Sequence, residues 1–250
     1  MSNIRTTGGP TPGFSTLTEE PSVLVINNRV DGSGPHADDD EFTGDETGTP
    51  TGWTAVQDST PRWSFRTLSS SLHAYTDGAL TSDTQMEALV KAMPGTPTAP
   101  ITIETAINLQ FTDRSTVMGG LCFLNGTTWS TADGVFAGEQ VVTFISRAVF
   151  RNVLNMAFGG QASSEEDIGE VMERLYVRLV WESANTWTVL HSPDGVGWVQ
   201  WSNRHNYSHT LAPTHMGFIF SPWFGTAGDP GTMSFEYFRV YEEAKTEGLD

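Results

Sequence analysis

The chain has 250 residues, with 30 Asp plus Glu against 13 Lys plus Arg and a formal net charge of −17. A chain this acidic, without a basic stretch, is a poor match for nucleic-acid phosphates or anionic membrane surfaces, which attract clustered Lys and Arg. The single cysteine, Cys122, excludes an internal disulfide framework and a Cys-based zinc site, and in the apolar run VMGGLCFL it is expected to be a buried thiol.

Only 17% of residues are charged, so the negative sign reflects a shortage of Lys and Arg. The charge is also unevenly spread. Residues 1–60 hold ten acids against Arg5 and Arg29, a net of −8, and the last ten residues have a net of −3. Eight Trp and 14 Phe imply a substantial core or aromatic surfaces. No apolar run reaches the ~18 residues of a membrane span. The start, MSNIRTTGGPTPG, lacks the apolar stretch of a secretory signal, so synthesis in a cytoplasm is expected. The sequons at Asn125 and Asn206 then carry no weight.

In chain order, residues 1 to about 20 are polar and rich in Gly, Pro and Thr, as in an arm without its own core. PSVLVINNR (21–29) follows, and Val23, Leu24, Val25 and Ile26 can pair as a strand. The next stretch carries six acids between Asp38 and Glu46. A run of this kind reads as a solvated loop. The sharper alternative is calcium at Asp38, Asp39 and Asp40, since hard cations take several oxygen ligands, but the spacing fits no EF-hand.

From Trp53 onward, short aromatic and β-branched runs alternate with turn signals. Asp-Gly pairs begin at Asp31, Asp77, Asp133 and Asp194, and an Asn-Gly pair at Asn125. In ITIETAINLQF (101–111), Ile101, Ile103, Ile107, Leu109 and Phe111 share one face. Thr102, Glu104, Asn108 and Gln110 share the other, which predicts a half-buried antiparallel strand. Further strands are expected over 64–76, 116–124, 140–147, 151–158, 175–182, 186–192, 197–201, 215–220 and 233–241. The best-defined hairpin is 186–201, turning at Pro193, Asp194 and Gly195. SSEEDIGEVMERL (163–175) predicts a short helix, with an N-cap serine, early acids and an Ile168, Val171, Met172, Leu175 stripe. MEALVKAM (86–93) has helical spacing too, but its pattern alone leaves it open.

Ser192, Asp194, Gly195 and Trp198, then Gly217-Phe218, then FEYFRV (235–240) resemble the concanavalin A-like lectin/glucanase sandwiches, the laminin-G-like jelly rolls. In those domains a Ser-x-Asp-Gly-x-x-Trp hairpin precedes a Gly-Phe strand and a closing Phe-Asp-Tyr-Phe-Arg-Val strand. Here Glu236 stands in the Asp place. DDDEFTGDETGTPTGWT resembles their opening, so the likeness covers roughly residues 38–243. It implies an all-β, two-sheet antiparallel jelly roll in which 86–93 is a strand. The domain boundaries expected are an arm over 1–35, the sandwich over 36–243 and an acidic tail over 244–250. The arm with a sandwich is similar to structural proteins of tailed-bacteriophage virions. This implies a non-enzymatic protein of capsid surface or tail, located in the virion. Its arm would dock on other virion proteins or on further copies of itself, as in a homotrimer, without nucleic acid or membrane.

The sandwich family includes glycoside hydrolases, one branch of which carries Glu-x-Asp-x-x-Glu on a strand. Glu165, Asp167 and Glu170 spell that string. Against it stand its expected chance frequency in so acidic a chain, the residues Glu166 and Gly169 between the acids, and the helical pattern, which would scatter the carboxylates. No Gly-x-Ser-x-Gly elbow or phosphate-binding loop occurs, and Gly119-Gly120 and Gly159-Gly160 read as bends. His205, His209 and His215 lie in a loop-like stretch where a metal is the weaker reading, and no cofactor is expected. The stronger alternative function is a carbohydrate-binding module for host-surface glycans, using Trp198, Trp201, His205, Tyr207, His209 and Trp223, whose rings can pack on sugar faces beside polar groups.

Overall fold

The computed structural model describes residues 36–57, 63–76, 87–93, 95–108, 118–127, 140–148, 151–158, 161–167, 174–200, 211–221 and 231–246. These form strands and turns, with no helix among them. In chain order the strands are β1 (Glu46–Thr47), β2 (Thr54–Val56), β3 (Trp63–Thr67), β4 (Leu72–Thr76), β5 (Glu87–Ala92), β6 (Ile101–Asn108), β7 (Met118–Leu124) and β8 (Gln140–Ala148). They continue with β9 (Arg151–Phe158), β10 (Gln161–Asp167), β11 (Arg174–Ser183), β12 (Thr186–Ser192), β13 (Val199–Gln200), β14 (His215–Ser221), β15 (Gly231–Phe235) and β16 (Arg239–Tyr241).

Two antiparallel sheets face each other. The larger runs β1-β3-β4-β15-β6-β11-β12-β13, with β16 also on β6, and the smaller runs β10-β9-β8-β7-β14-β5-β2. Both are interleaved in sequence, as the expected jelly-roll sandwich requires. The layer between them holds one cluster that includes Trp63, Phe65, Leu72, Ile103, Ile107, Val177 and Leu179 from the larger sheet. Leu89, Leu121, Phe123, Phe218 and Phe220 come from the smaller. Its rings pack closely, with Phe218 and Phe235 4.5 Å apart at their centroids and Trp53 stacked on Phe218 at 5.4 Å. Geometry of this kind adds about 0.5–1.5 kcal/mol per aromatic pair beyond area burial. The Cys122 thiol is buried on β7, and burial pushes its pKa well above the ordinary range, partly offset by a backbone contact with Gly217.

Three sequence expectations are corrected, and one that the pattern left open is resolved. The segment 163–175 is not helical where it is described: residues 161–167 are edge strand β10, paired with β9 through a register shift between Gln161 and Ser164. Backbone pairing along that edge outweighs a weak helical preference. The segment 86–93 is strand β5 between β14 and β2, as the family resemblance implies. Its residues Glu87–Val90 are all buried, so both faces are covered and the apolar spacing carries no period. The stretch 64–76 is two strands joined by a two-residue turn, Ser69-Ser70, with both φ values positive and reciprocal hydrogen bonds between Leu68 and Ser71. Strand β6 is buried on both faces, not one.

The closing strand explains that last correction. Phe235 lies opposite Ile107 and Arg239 opposite Glu104, so the closing strand spends one more residue than β6 over this interval. This is a β-bulge. Phe235, Phe238 and Val240 therefore join the core, whereas Tyr237 and Tyr241 reach Glu104 on the outer face.

Candidate functional site

The outer face of the larger sheet carries a buried polar cluster centred on Glu104. Arg178 Nε donates to its Oε2 at 2.7 Å, Tyr237 Oη donates to Oε1 at 2.8 Å, and Tyr241 Oη approaches Oε2 at 3.4 Å. Glu104 and Arg178 are 4% and 8% exposed. Burial, then the Glu104 charge, push the Tyr237 phenol well above its ordinary pKa, so it stays a neutral donor. Arg239 pairs with Glu41 at 3.1 Å and lies over the Tyr237 ring. Thr102 Oγ1 donates to the Glu243 carbonyl and accepts from Lys245 N–H, which ties the start of the expected acidic tail to β6. A single carboxylate already held by an arginine and two phenols is a fastening and lacks the second acid that acid–base chemistry on a sugar needs.

Trp198 belongs to this cluster. It is 5% exposed, and the Arg178 guanidinium sits 3.7 Å from its ring centroid. One face of the ring is thereby taken by a cation, so Trp198 is packed where the sugar-binding reading needs an open platform. The hairpin that brings it there is held by its own side chains. Asp194 Oδ1 accepts from Val196 N–H at 2.8 Å, Gly197 N–H at 2.9 Å and Ser192 Oγ at 2.9 Å. These bonds, the Val196 N–H first, lower the Asp194 pKa. Gly195 takes φ +75, and a Cβ there would meet the Tyr176 ring at 3.0 Å. The Ser-x-Asp-Gly-x-x-Trp motif is thus a turn that pins an indole onto the sheet.

The three consecutive aspartates diverge. Asp38 lies beside His36, Asp39 caps His36 N–H and accepts from Val240 N–H, and Asp40 accepts from Trp53 Nε1 at 2.7 Å with Lys91 at 3.6 Å. They pin the entry of the sandwich to its closing strand and do not converge on a common point. Among the described residues no three His, Cys, Asp or Glu gather to hold a metal ion. His215 opens β14 with Nδ1 2.8 Å from Thr214 Oγ1, and burial lowers its pKa.

Glu165 and Asp167 lie on β10, in register with Asn155 and Val153 of β9. The helix that counted against the string is not formed over these two residues. Glu170, Trp201, His205, Tyr207, His209 and Trp223 lie outside the described residues, as do Val23, Leu24, Val25 and Ile26 of the arm. Sequence reasoning missed the Glu104 cluster because its members are joined only by the fold.

No protein-family model matches the sequence, and no curated protein matches it. Solved structures do. The GH43 protein BlXynB of Bacillus licheniformis matches with a TM-score of 0.56 at 13% identity, over 84% of this chain and 40% of that one. A bifunctional GH43-CE protein of Bacteroides eggerthii matches with a TM-score of 0.57 at 18% identity, over 83% of this chain and 26% of that one. The endo-β-1,3-glucanase of Pyrococcus furiosus matches with a TM-score of 0.56 at 13% identity, over 82% of this chain and 93% of that one. The chain thus spans well under half the length of the two GH43 proteins. At these identities the likeness establishes the fold, a glucanase/lectin-type β-sandwich of the concanavalin A-like class.

The fold half of the sequence resemblance stands, and the virion half is corrected. The expectation of a non-enzymatic virion structural protein rested on the composition of an arm. The three structures named above are GH43 proteins and an endo-β-1,3-glucanase, and none of them is a virion protein. This finding overturns the virion reading and, with it, the expectation that the chain is no enzyme.

Proposed function

We propose that the chain is a carbohydrate-active sandwich that engages polysaccharide. The observation that carries this reading is the match of more than four-fifths of the chain to the fold of GH43 proteins and an endo-β-1,3-glucanase. Binding is the minimal form of the role. Glycosidic hydrolysis is the fuller form, with Glu165 and Asp167 of strand β10 as its candidate acids, since such chemistry needs a pair of carboxyl groups.

The test is affinity electrophoresis of the full chain through gels containing soluble β-1,3-glucan, xylan or alginate, with release of reducing ends measured in parallel. Retardation by at least one polysaccharide is expected. Reducing ends, if released, should fall at least a hundredfold in Glu165→Gln and Asp167→Asn. Neither retardation nor release with any polysaccharide would sink the reading. Release unchanged in both variants would remove the β10 acids from it.

A further inference from the structure

The outer face of the larger sheet has a second half, over β3, β4 and β15, that nothing above uses. There Tyr75 is 47% exposed at the middle of three strands. Its cross-strand neighbours are Ser64 on β3 and Thr232 on β15. The next row along the strands is Arg66, His73 and Ser234, again in register, with Ser234 itself buried and Arg66 and His73 forming the accessible part. The opposite side of the same strands is core: Trp63, Phe65, Leu72, Ala74, Met233 and Phe235 are all buried. The exposed ring therefore stands on rigid backbone, with hydroxyl, imidazole and guanidinium groups fixed around it at strand spacing.

The charge on this patch is cancelled. Arg66 donates from Nε and Nη2 to both carboxylate oxygens of Asp45, at 3.0 to 3.2 Å. What remains is an open aromatic ring bordered by hydrogen-bonding groups without net charge, on a chain whose formal charge is −17. Such a surface complements a ligand that is rich in hydroxyls, has apolar ring faces and carries no charge. A polyanion is repelled by the whole-molecule field, and a cation finds no unpaired carboxylate in either row.

We infer that the Tyr75 face is a binding surface for a neutral polysaccharide chain. One sugar ring packs on Tyr75, and its hydroxyls bond the Ser64–Thr232 row and the Arg66–His73 row. The inference rests on the carbohydrate-active reading and narrows it to uncharged glycans. It also places a contact surface on the opposite sheet from the β10 acids.

The experiment is a titration of the full chain with soluble β-1,3-glucan, soluble xylan and alginate at low salt, in wild type, Tyr75→Ala and Tyr75→Phe. Expected is neutral-glycan binding weakened about fivefold in Tyr75→Ala, as loss of one ring contact implies, and kept within about twofold in Tyr75→Phe. Alginate should bind at least tenfold more weakly than the better neutral glycan. Tyr75 ring resonances in the wild type should shift on addition of the neutral glycan, a readout that needs no variant to fold. Wild-type affinity in Tyr75→Ala, unshifted ring resonances, or alginate binding as tightly as the neutral chains would each overturn the inference while leaving polysaccharide engagement in place. No binding to any of the three would remove both readings.

Discussion

The outer face of the larger sheet is treated in two opposite ways. Over β6 and β11, Glu104, Arg178, Tyr237 and Tyr241 are buried and bonded to one another, with Trp198 laid on the guanidinium. Over β3 and β4, Arg66, Asp45 and Tyr75 are chemically similar residues left open to water. Both halves hold an arginine–carboxylate pair and a tyrosine. The difference lies in what crosses them, since the bulged closing strand and the Asp194 hairpin cover one half alone. A charged group's worth to stability follows from its solvent access, and the same pair that fastens one half can only decorate the other.

The comparison can be broken by removing one partner from each half. Glu104→Ala should cost about 3–5 kcal/mol in urea unfolding, because Arg178 is left charged, buried and unpaired. Most of that loss should return in the Glu104→Leu, Arg178→Met double variant. Trp198→Ala should cost about 3 kcal/mol by the same measurement, as expected for truncating a buried indole. Arg66→Ala, which cuts the exposed pair with Asp45, should cost under about 1 kcal/mol. Tyr75→Ala should change stability by no more than about 0.5 kcal/mol, so that its effect on glycan binding is read on an intact fold. A loss at Arg66 equal to that at Glu104 would mean that solvent access does not separate the halves.

The smallest expected effect is local and depends on pH. Asp194 has its pKa lowered from 3.8 by the N–H groups of its own turn. The unfolded hairpin thus binds a proton more readily than the folded one. The stabilisation is complete above the ordinary value and is lost as pH falls through the lowered one. Amide exchange at Val196 and Gly197 should therefore speed up, beyond its intrinsic pH dependence, only below pH 3.8, and Asp194→Ala should abolish that step.

Much of the fold was legible because its signals are local. Ile101, Ile103 and Ile107 alternate as a strand must, and Ser192, Asp194, Gly195 and Trp198 spell a turn whose bonds span a few residues. Other features were not legible. Glu104 lies 74 positions from Arg178 and 133 from Tyr237, so no window of sequence contains the cluster. The Ser69-Ser70 turn uses serines at positive φ, where Asn or Gly is the usual signal. The β10 segment has helix-compatible spacing, and only its pairing with β9 decides otherwise. Whether Trp198 is core or a sugar platform was not legible, because sequence shows the indole but not the guanidinium on its face. Tyr75 was passed over because one tyrosine in a strand carries no pattern, and its exposure is a property of the sheet.

The extra residue in the closing strand has a consequence for how this chain tolerates change in length. Upstream of it the strand presents Met233 and Phe235 to the core, and downstream it presents Phe238 and Val240. Deleting Glu236 would restore an unbroken alternation and leave Phe238 and Val240 facing the core and Arg239 and Tyr241 facing outward. The bulge is thus the place where this strand can lose one residue without turning its downstream side chains over. A one-residue deletion within a regular stretch has no such slack and acts as a frame error in space.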